Sequence, residues 1–240
     1  MSATETVLVV GATGNIGVSA VQAALRSKRN VLAIVRNQNS ADKLVHHIGS
    51  SEGITFVEAN VLSETAVRDV VEKVRTAKLP AFQHVYTCVG GEYVTVPLRE
   101  TTPERLRISM KTTFEANYLA YLYTIDYLLE QNNPTSWTIC TGSQGDQATH
   151  PLPAMAQGAL FSMCIAGARE NIETNVRFNE IYLAFRVEVD EIAVQHPGVV
   201  KASEFGHVYE TLLNKPEIRS SRVWVNTPED IRDLEYTRRF

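Results

Sequence analysis

The sequence predicts one α/β domain, a doubly wound parallel sheet of about seven strands with helices on both faces. Three observations lead there. Val7-Leu8-Val9-Val10 is a continuous apolar run of the kind a parallel sheet buries on both faces. A glycine-punctuated turn follows directly and opens a helix-spaced stretch. From there strand-like and helix-like segments alternate along the chain, with no internal repeat and no low-complexity linker. At 240 residues, 44% hydrophobic and 21% charged, the chain suits a single domain over residues 1–240.

Taken in order, the first strand leads through Gly11 into a helix over 16–26. Residues 30–35 (NVLAIV) and 54–59 (ITFVEA) read as the second and third strands, with a short polar helix over 40–47 between them. Ser63 and Glu64 open a helix whose apolar face is Val67, Val70, Val71 and Val74. Residues 84–89 (HVYTCV) form a fourth strand, closed by Gly90-Gly91. Thr102-Pro103-Glu104 has the look of an N-cap followed by proline at the first helical position. The long helix it starts carries Leu106, Phe114, Leu119, Tyr123 and Leu128 and stops before Asn132-Asn133-Pro134. Residues 137–141 (WTICT) predict the fifth strand, ending in the loop Gly142-Ser143-Gln144-Gly145, and Pro153 begins a helix to about residue 169. Residues 176–183 are a sixth strand, 199–213 a mostly helical stretch and 222–225 a last short strand. The one elaboration, about 186–205, follows a strand's carboxyl end, where open α/β sheets bind ligands.

The formal net charge of −4 gives no reason to expect nucleic acid or an anionic membrane as partner. No apolar run approaches the ~20 residues that span a bilayer. Cys88, Cys140 and Cys164 lack metal-ligand spacing, so no metal site is expected, and their odd number suggests reduced thiols. No signal-peptide pattern is read at the N-terminus, and the expected location is cytoplasmic. His46-His47 reads as exposed helix surface.

The turn over 11–17 has GxxGxxG spacing, with Gly11, Gly14 and Gly17 between strand and helix. One glycine lets the chain turn sharply, one lets backbone approach a pyrophosphate, and one lets helix and sheet pack closely. The helix start adds unpaired N–H groups and a positive dipole end. This is the pattern of a Rossmann-type nicotinamide dinucleotide site, with Gly11, Thr13, Gly14, Asn15, Ile16 and Gly17 around the diphosphate. The second strand ends in Val35-Arg36-Asn37-Gln38-Asn39, without the carboxylate that would bind an adenosine ribose. Arg36, helped by Asn37, Gln38 or Ser40, suits a 2′-phosphate, which favours NADP(H) over NAD(H). By topology, Asn60-Val61 borders the adenine, and Gly90-Gly91 lies near the ribose and nicotinamide.

These residues resemble the short-chain dehydrogenase/reductase family over nearly the whole chain. The turn GATGNIG resembles the version in atypical, NmrA-like and extended members, while the layout resembles the compact single-domain ones. The resemblance implies that Asn117 matches the family's helix asparagine, which organises a proton-relay water. It implies that Ser143 matches the catalytic serine after the fifth strand, with Thr141 as the alternative. The family's proton-transferring tyrosine, with a lysine four residues later, has no counterpart, since no tyrosine here is followed by lysine at that spacing. Aligned on the small-residue run, Pro153 stands at the tyrosine position and Gln157 at the lysine position, where Gln157 can still hydrogen-bond the nicotinamide ribose.

Candidates to replace the acid are Tyr93 with Glu92 beside it, His150, and Tyr182 with Glu180 and Arg186 at the sixth strand's end. The tyrosines at 118, 121, 123 and 127, with Met155, Phe161, Met163 and Cys164, read as core and subunit contact, since these two helices form the family's dimer interface. A homodimer or homotetramer is therefore expected. The first functional expectation is an NADP(H)-dependent oxidoreductase acting on a small carbonyl, enone, imine or quinone-like substrate through a non-standard proton donor. The alternatives are a non-redox isomerase, cyclase or dehydratase on the same scaffold, and a cofactor-sensing NmrA-like regulator.

Overall fold

The computed structural model describes residues 4–91 and 93–240, so Glu92 lies outside the described residues. Strands β1 (Thr6–Val10), β2 (Asn30–Val35), β3 (Ile54–Glu58), β4 (His84–Thr87), β5 (Thr135–Gly142) and β6 (Val176–Leu183) are parallel to one another. Side chains alternate faces along a strand, and β1 shows the consequence. Val7 and Val9 enter a core with helices α1 (Asn15–Arg26) and α9 (Ala202–Asn214), whereas Leu8 and Val10 face α3 (Ala66–Arg75), α5 (Ala116–Leu129) and α7 (Pro151–Glu170). The single run VLVV thus feeds two cores, which is why it has no polar face. The fold is the predicted single doubly wound domain.

The sheet has eight strands in the order β10-β9-β6-β5-β4-β1-β2-β3, with β9 (Ser221–Val225) parallel to β6. Strand β10 (Glu235–Arg238), unforeseen in the sequence, pairs antiparallel with β9 at the edge. All four of its residues are exposed, so it has no apolar pattern to announce it. A second, two-stranded sheet joins β7 (Val187–Glu188) to β8 (Val200–Lys201), with the one-turn helix α8 (Asp190–Ala193) between them. This strap is the elaboration after β6, and the helix expected from 199 starts only at Ala202.

Other boundaries move for local reasons. Helix α2 runs over Gln38–Ile48 because Asn37 caps it, accepting from the Ser40 N–H. Helix α3 begins at Ala66 rather than at Ser63. The long helix is α4 (Pro103–Ser109), then a π-helical segment over Met110–Glu115, then α5. Between β5 and α7, α6 (Gln144–Gln147) is a single turn. Helix α7 is long and apolar enough to cross a bilayer by length and composition, contrary to the sequence expectation, yet half of that stretch is buried inside the domain. His47 also departs from expectation: its side chain is 5% exposed and sits beside Glu191 of α8, which pairs with His46 as well.

Candidate active site

The glycine turn has the tightness that its spacing implies. Gly11 adopts φ +91°, and a Cβ there would crowd the Cys88 carbonyl at 3.2 Å. At Gly17 a Cβ would lie 2.1 Å from the Gly11 carbonyl oxygen, so no larger residue fits where α1 meets β1. Gly14 is exposed and has no side chain to cap the helix. Thr13, Asn15 and Ile16 flank it, half-buried, at the mouth of α1. The residues present therefore fit a dinucleotide diphosphate: close-packed backbone and an uncapped helix start.

Further along the carboxyl edge, Arg36 is exposed beyond β2 and Asn37 is engaged in the α2 cap. Asn60 is exposed after β3, its side chain accepting from the Leu62 N–H, and Val61 is half-buried beside it. After β4, the Gly91 N–H donates to Thr113 Oγ1 at 3.2 Å, and a Cβ on Gly91 would meet Thr112 Oγ1 at 2.7 Å. Asn117 is fully buried under this turn. Its amide nitrogen donates to the carbonyls of Val89 and Thr113, and its oxygen accepts from Thr87 Oγ1 and the Val89 N–H. These bonds make Asn117 a clamp between the end of β4 and the π-helical segment.

A narrow recess opens beside the clamp, lined by Gly90, Gly91, Tyr93, Thr113, Pro153 and Gln157. The Gly142 N–H donates to Gln157 Oε1 at 2.9 Å, which fixes the carboxamide. A Cβ placed on Gly142 would stand 3.4 Å from the Tyr93 hydroxyl and 3.7 Å from Gln157 Nε2. The tyrosine hydroxyl and the carboxamide thus converge where position 142 has no side chain. Tyr93 as a residue is 56% exposed, but its hydroxyl comes within 3.4 Å of where a Cβ on Gly142 would stand. Burial of that hydroxyl pushes its pKa above the ordinary tyrosine value. His150 packs edge-on against the ring, with centroids 5.7 Å apart.

The other candidates sit elsewhere. Ser143 is buried at the start of α6, where its N–H donates to the Leu183 carbonyl. Thr141 donates its hydroxyl to Glu180. Glu180 is 1% exposed, and it also accepts two bonds from Arg222 and one from Arg239. It is an internal ion-pair hub that ties β9, and the residue that follows β10, to β6. Tyr182 packs on Phe161 and Trp224. Burial first, and then the neighbouring Asp146 carboxylate, push its phenol up to about 12. Arg186 pairs with Glu188. Sequence spacing had no way to show the Glu180 hub or the approach of Tyr93 to position 142, because each joins segments tens of residues apart.

The short chain dehydrogenase family matches residues 5–185. The chain belongs to that family. A protein of Pestalotiopsis fici described as short-chain dehydrogenase/reductase iacG is 54% identical over 237 residues, covering 97% of this chain and 96% of that protein. Among solved structures, a short-chain dehydrogenase/reductase family oxidoreductase from Burkholderia thailandensis superposes with a TM-score of 0.79 at 19% identity, over 93% of this chain and 92% of that one. ElxO, solved with NADP bound, superposes at 0.73 and 15% identity, over 85% and 89%. The protein is thus an oxidoreductase of a family that uses nicotinamide cofactors.

Proposed function

We propose that the protein is an NADP(H)-dependent reductase of a small carbonyl, enone, imine or quinone-like compound, with Tyr93 as proton donor. The observation that carries this is the convergence of the Tyr93 hydroxyl and the Gln157 carboxamide over Gly142. Bound NADPH supplies the hydride. The residues from Gly11 to Gly17 hold its diphosphate, Arg36 its 2′-phosphate, and Gly90-Gly91 leave room for its ribose and nicotinamide. Gln157 Nε2 has no acceptor among the described residues, so it donates to the substrate oxygen and orients it. Tyr93, kept protonated by burial, transfers its proton to that oxygen or nitrogen and is reprotonated from the solvent that wets its ring.

A phenol without a lysine beside it is a weaker acid than the family's tyrosine, which suits imines and quinones, whose reduction needs less acid assistance. The missing Tyr-x-x-x-Lys pair also favours a second reading, a non-redox isomerase, cyclase or dehydratase. The loss of reduced-nicotinamide absorbance with a panel of these four substrate classes, NADPH against NADH, decides between them. Consumption of NADPH by any class supports the reductase, and tight binding without consumption supports the non-redox enzyme. The outward sides of α5 and α7 expose Tyr118, Leu122, Met155 and Ile165, which supports a homodimer or homotetramer assembled through these helices.

A further inference from the structure

Among the described residues, helix α1 starts without a side-chain cap, and its first turn holds no acidic residue. A carboxylate nevertheless reaches it from the strap, 173 residues away in the chain: Asn15 Nδ2 donates to Glu188 Oε2 at 2.6 Å. The Val189 N–H closes the clasp on Asn15 Oδ1 at 3.3 Å. The Glu188 side chain is 17% exposed, and its other oxygen is held by Arg186, itself 61% exposed, at 2.8 Å. Two further contacts seat the strap. Glu191 meets His46 and His47 of α2, and Asp190 accepts from the Ser203 N–H.

A negative charge at a helix N-terminus is favoured by the uncapped N–H groups and the dipole. A diphosphate is bound there by the same physics. Glu188 is held on the Asn15 side chain, at the first residue of the helix whose N–H groups suit a diphosphate, and two anions in such proximity repel, the more so where solvent is partly excluded. We propose that Glu188 is a built-in competitor for the dinucleotide diphosphate, so that it sets cofactor affinity. When the cofactor binds, the carboxylate yields the Asn15 amide and keeps Arg186 as its partner. The Asn15–Glu188 bond and the bound diphosphate therefore exclude each other. This rests on the assignment of residues 11–17 as the diphosphate cradle.

The test is NADPH titration, by binding calorimetry, of the full chain with Glu188, Glu188→Gln and Glu188→Ala, together with thermal unfolding of each with and without NADPH. Gln keeps the length and an oxygen that accepts from Asn15 but removes the charge, whereas Ala removes both. The expected result is at least tenfold tighter NADPH binding for Glu188→Gln and tighter still for Glu188→Ala. Without cofactor, Glu188→Ala should melt below the parent protein, and with saturating NADPH it should gain more than the parent does. Equal or weaker binding by both variants, with the parent binding measurably, would overturn the proposal and leave the cradle assignment standing. Binding by none of the three proteins would remove the cradle assignment and the proposal together.

Discussion

The backbone N–H of Gly142 donates to Oε1 of Gln157 at 2.9 Å, so the end of β5 is tied to the first turns of α7 through a side chain that also lines the recess. Gln157 therefore has two duties on two different atoms, and substitutions can separate them. Gln157→Leu leaves the Gly142 N–H without its acceptor, at a cost of about 1–3 kcal/mol, or a Tm lower by roughly 2–4 °C per kcal/mol in a chain of this size. Gln157→Glu keeps an accepting oxygen and should hold its Tm much better, yet it loses the N–H donor and should lose reductase activity with Leu. Thermal melts and kcat measured on the same preparations check this. Equal Tm for both variants would show that the Gly142 bond contributes nothing.

Tyr93→Phe removes one oxygen and little else, because the ring packs on His150 through its face and edge. If the hydroxyl is the acid, kcat should fall by about 10²–10⁴, while the Kd for NADPH stays within about twofold. Tyr182→Phe is the control. That hydroxyl is turned to Asp146 and its ring to Phe161 and Trp224, so kcat should barely move. A large loss on Tyr182→Phe with none on Tyr93→Phe would reverse the assignment.

Arg36→Asp puts a carboxylate where the 2′-phosphate is expected. The exposed arginine makes no bond that the fold needs among the described residues, so the variant should melt like the parent. Its preference for NADPH over NADH should drop by at least about tenfold, the worth of one charge-assisted contact of 1.4 kcal/mol or more. An unchanged ratio of the two dissociation constants would take Arg36 out of the cofactor site.

The parts of this molecule written in consecutive residues were legible in the sequence. The apolar run VLVV and the glycines at 11, 14 and 17 announce β1, the turn and α1 because period and steric demand are local properties. The parallel sheet follows from their repetition. Strand β10 was not legible, since its four exposed residues have no buried face to pattern. The strap was visible only as a gap in the alternation, because its two-residue strands are shorter than any periodicity. In the recess, Gln157 could be placed by spacing, but Gly142 could not. What marks position 142 is the absence of a side chain beneath a tyrosine from another loop, and no signal in the chain relates residues 93 and 142.

Acid should unfold the protein earlier than its modest charge suggests, through a pair at the base of the sheet. His84 is buried on β4, with Nδ1 bonded to Ser136 Oγ at 2.8 Å and Nε2 to Glu5 Oε2 at 3.2 Å. Burial outweighs the nearby carboxylate and lowers the histidine pKa, so the neutral ring donates from Nε2 and accepts at Nδ1. Glu5, bonded first by His84 and also by Arg29, is lowered to about 2. Both folded-state values lie below the unfolded ones of 6.5 and 4.5, so the sign is the same for both groups. The unfolded chain binds more protons as pH falls. The histidine contribution is complete above pH 6.5 and is lost as pH falls through its lowered folded value. The glutamate contribution is complete above pH 4.5 and is lost toward pH 2. Glu5 is 43% exposed, so solvent screens its share and the histidine should dominate the upper part of the slope. Tm measured from pH 8 to pH 4 should be flat at first, then decline from about 6.5 downward. In His84→Gln the part of the decline that sets in just below 6.5 should flatten. A Tm that rises between pH 7 and 5 would mean that the folded protein takes up a proton at His84 and pairs it with Glu5, the opposite balance of burial and charge.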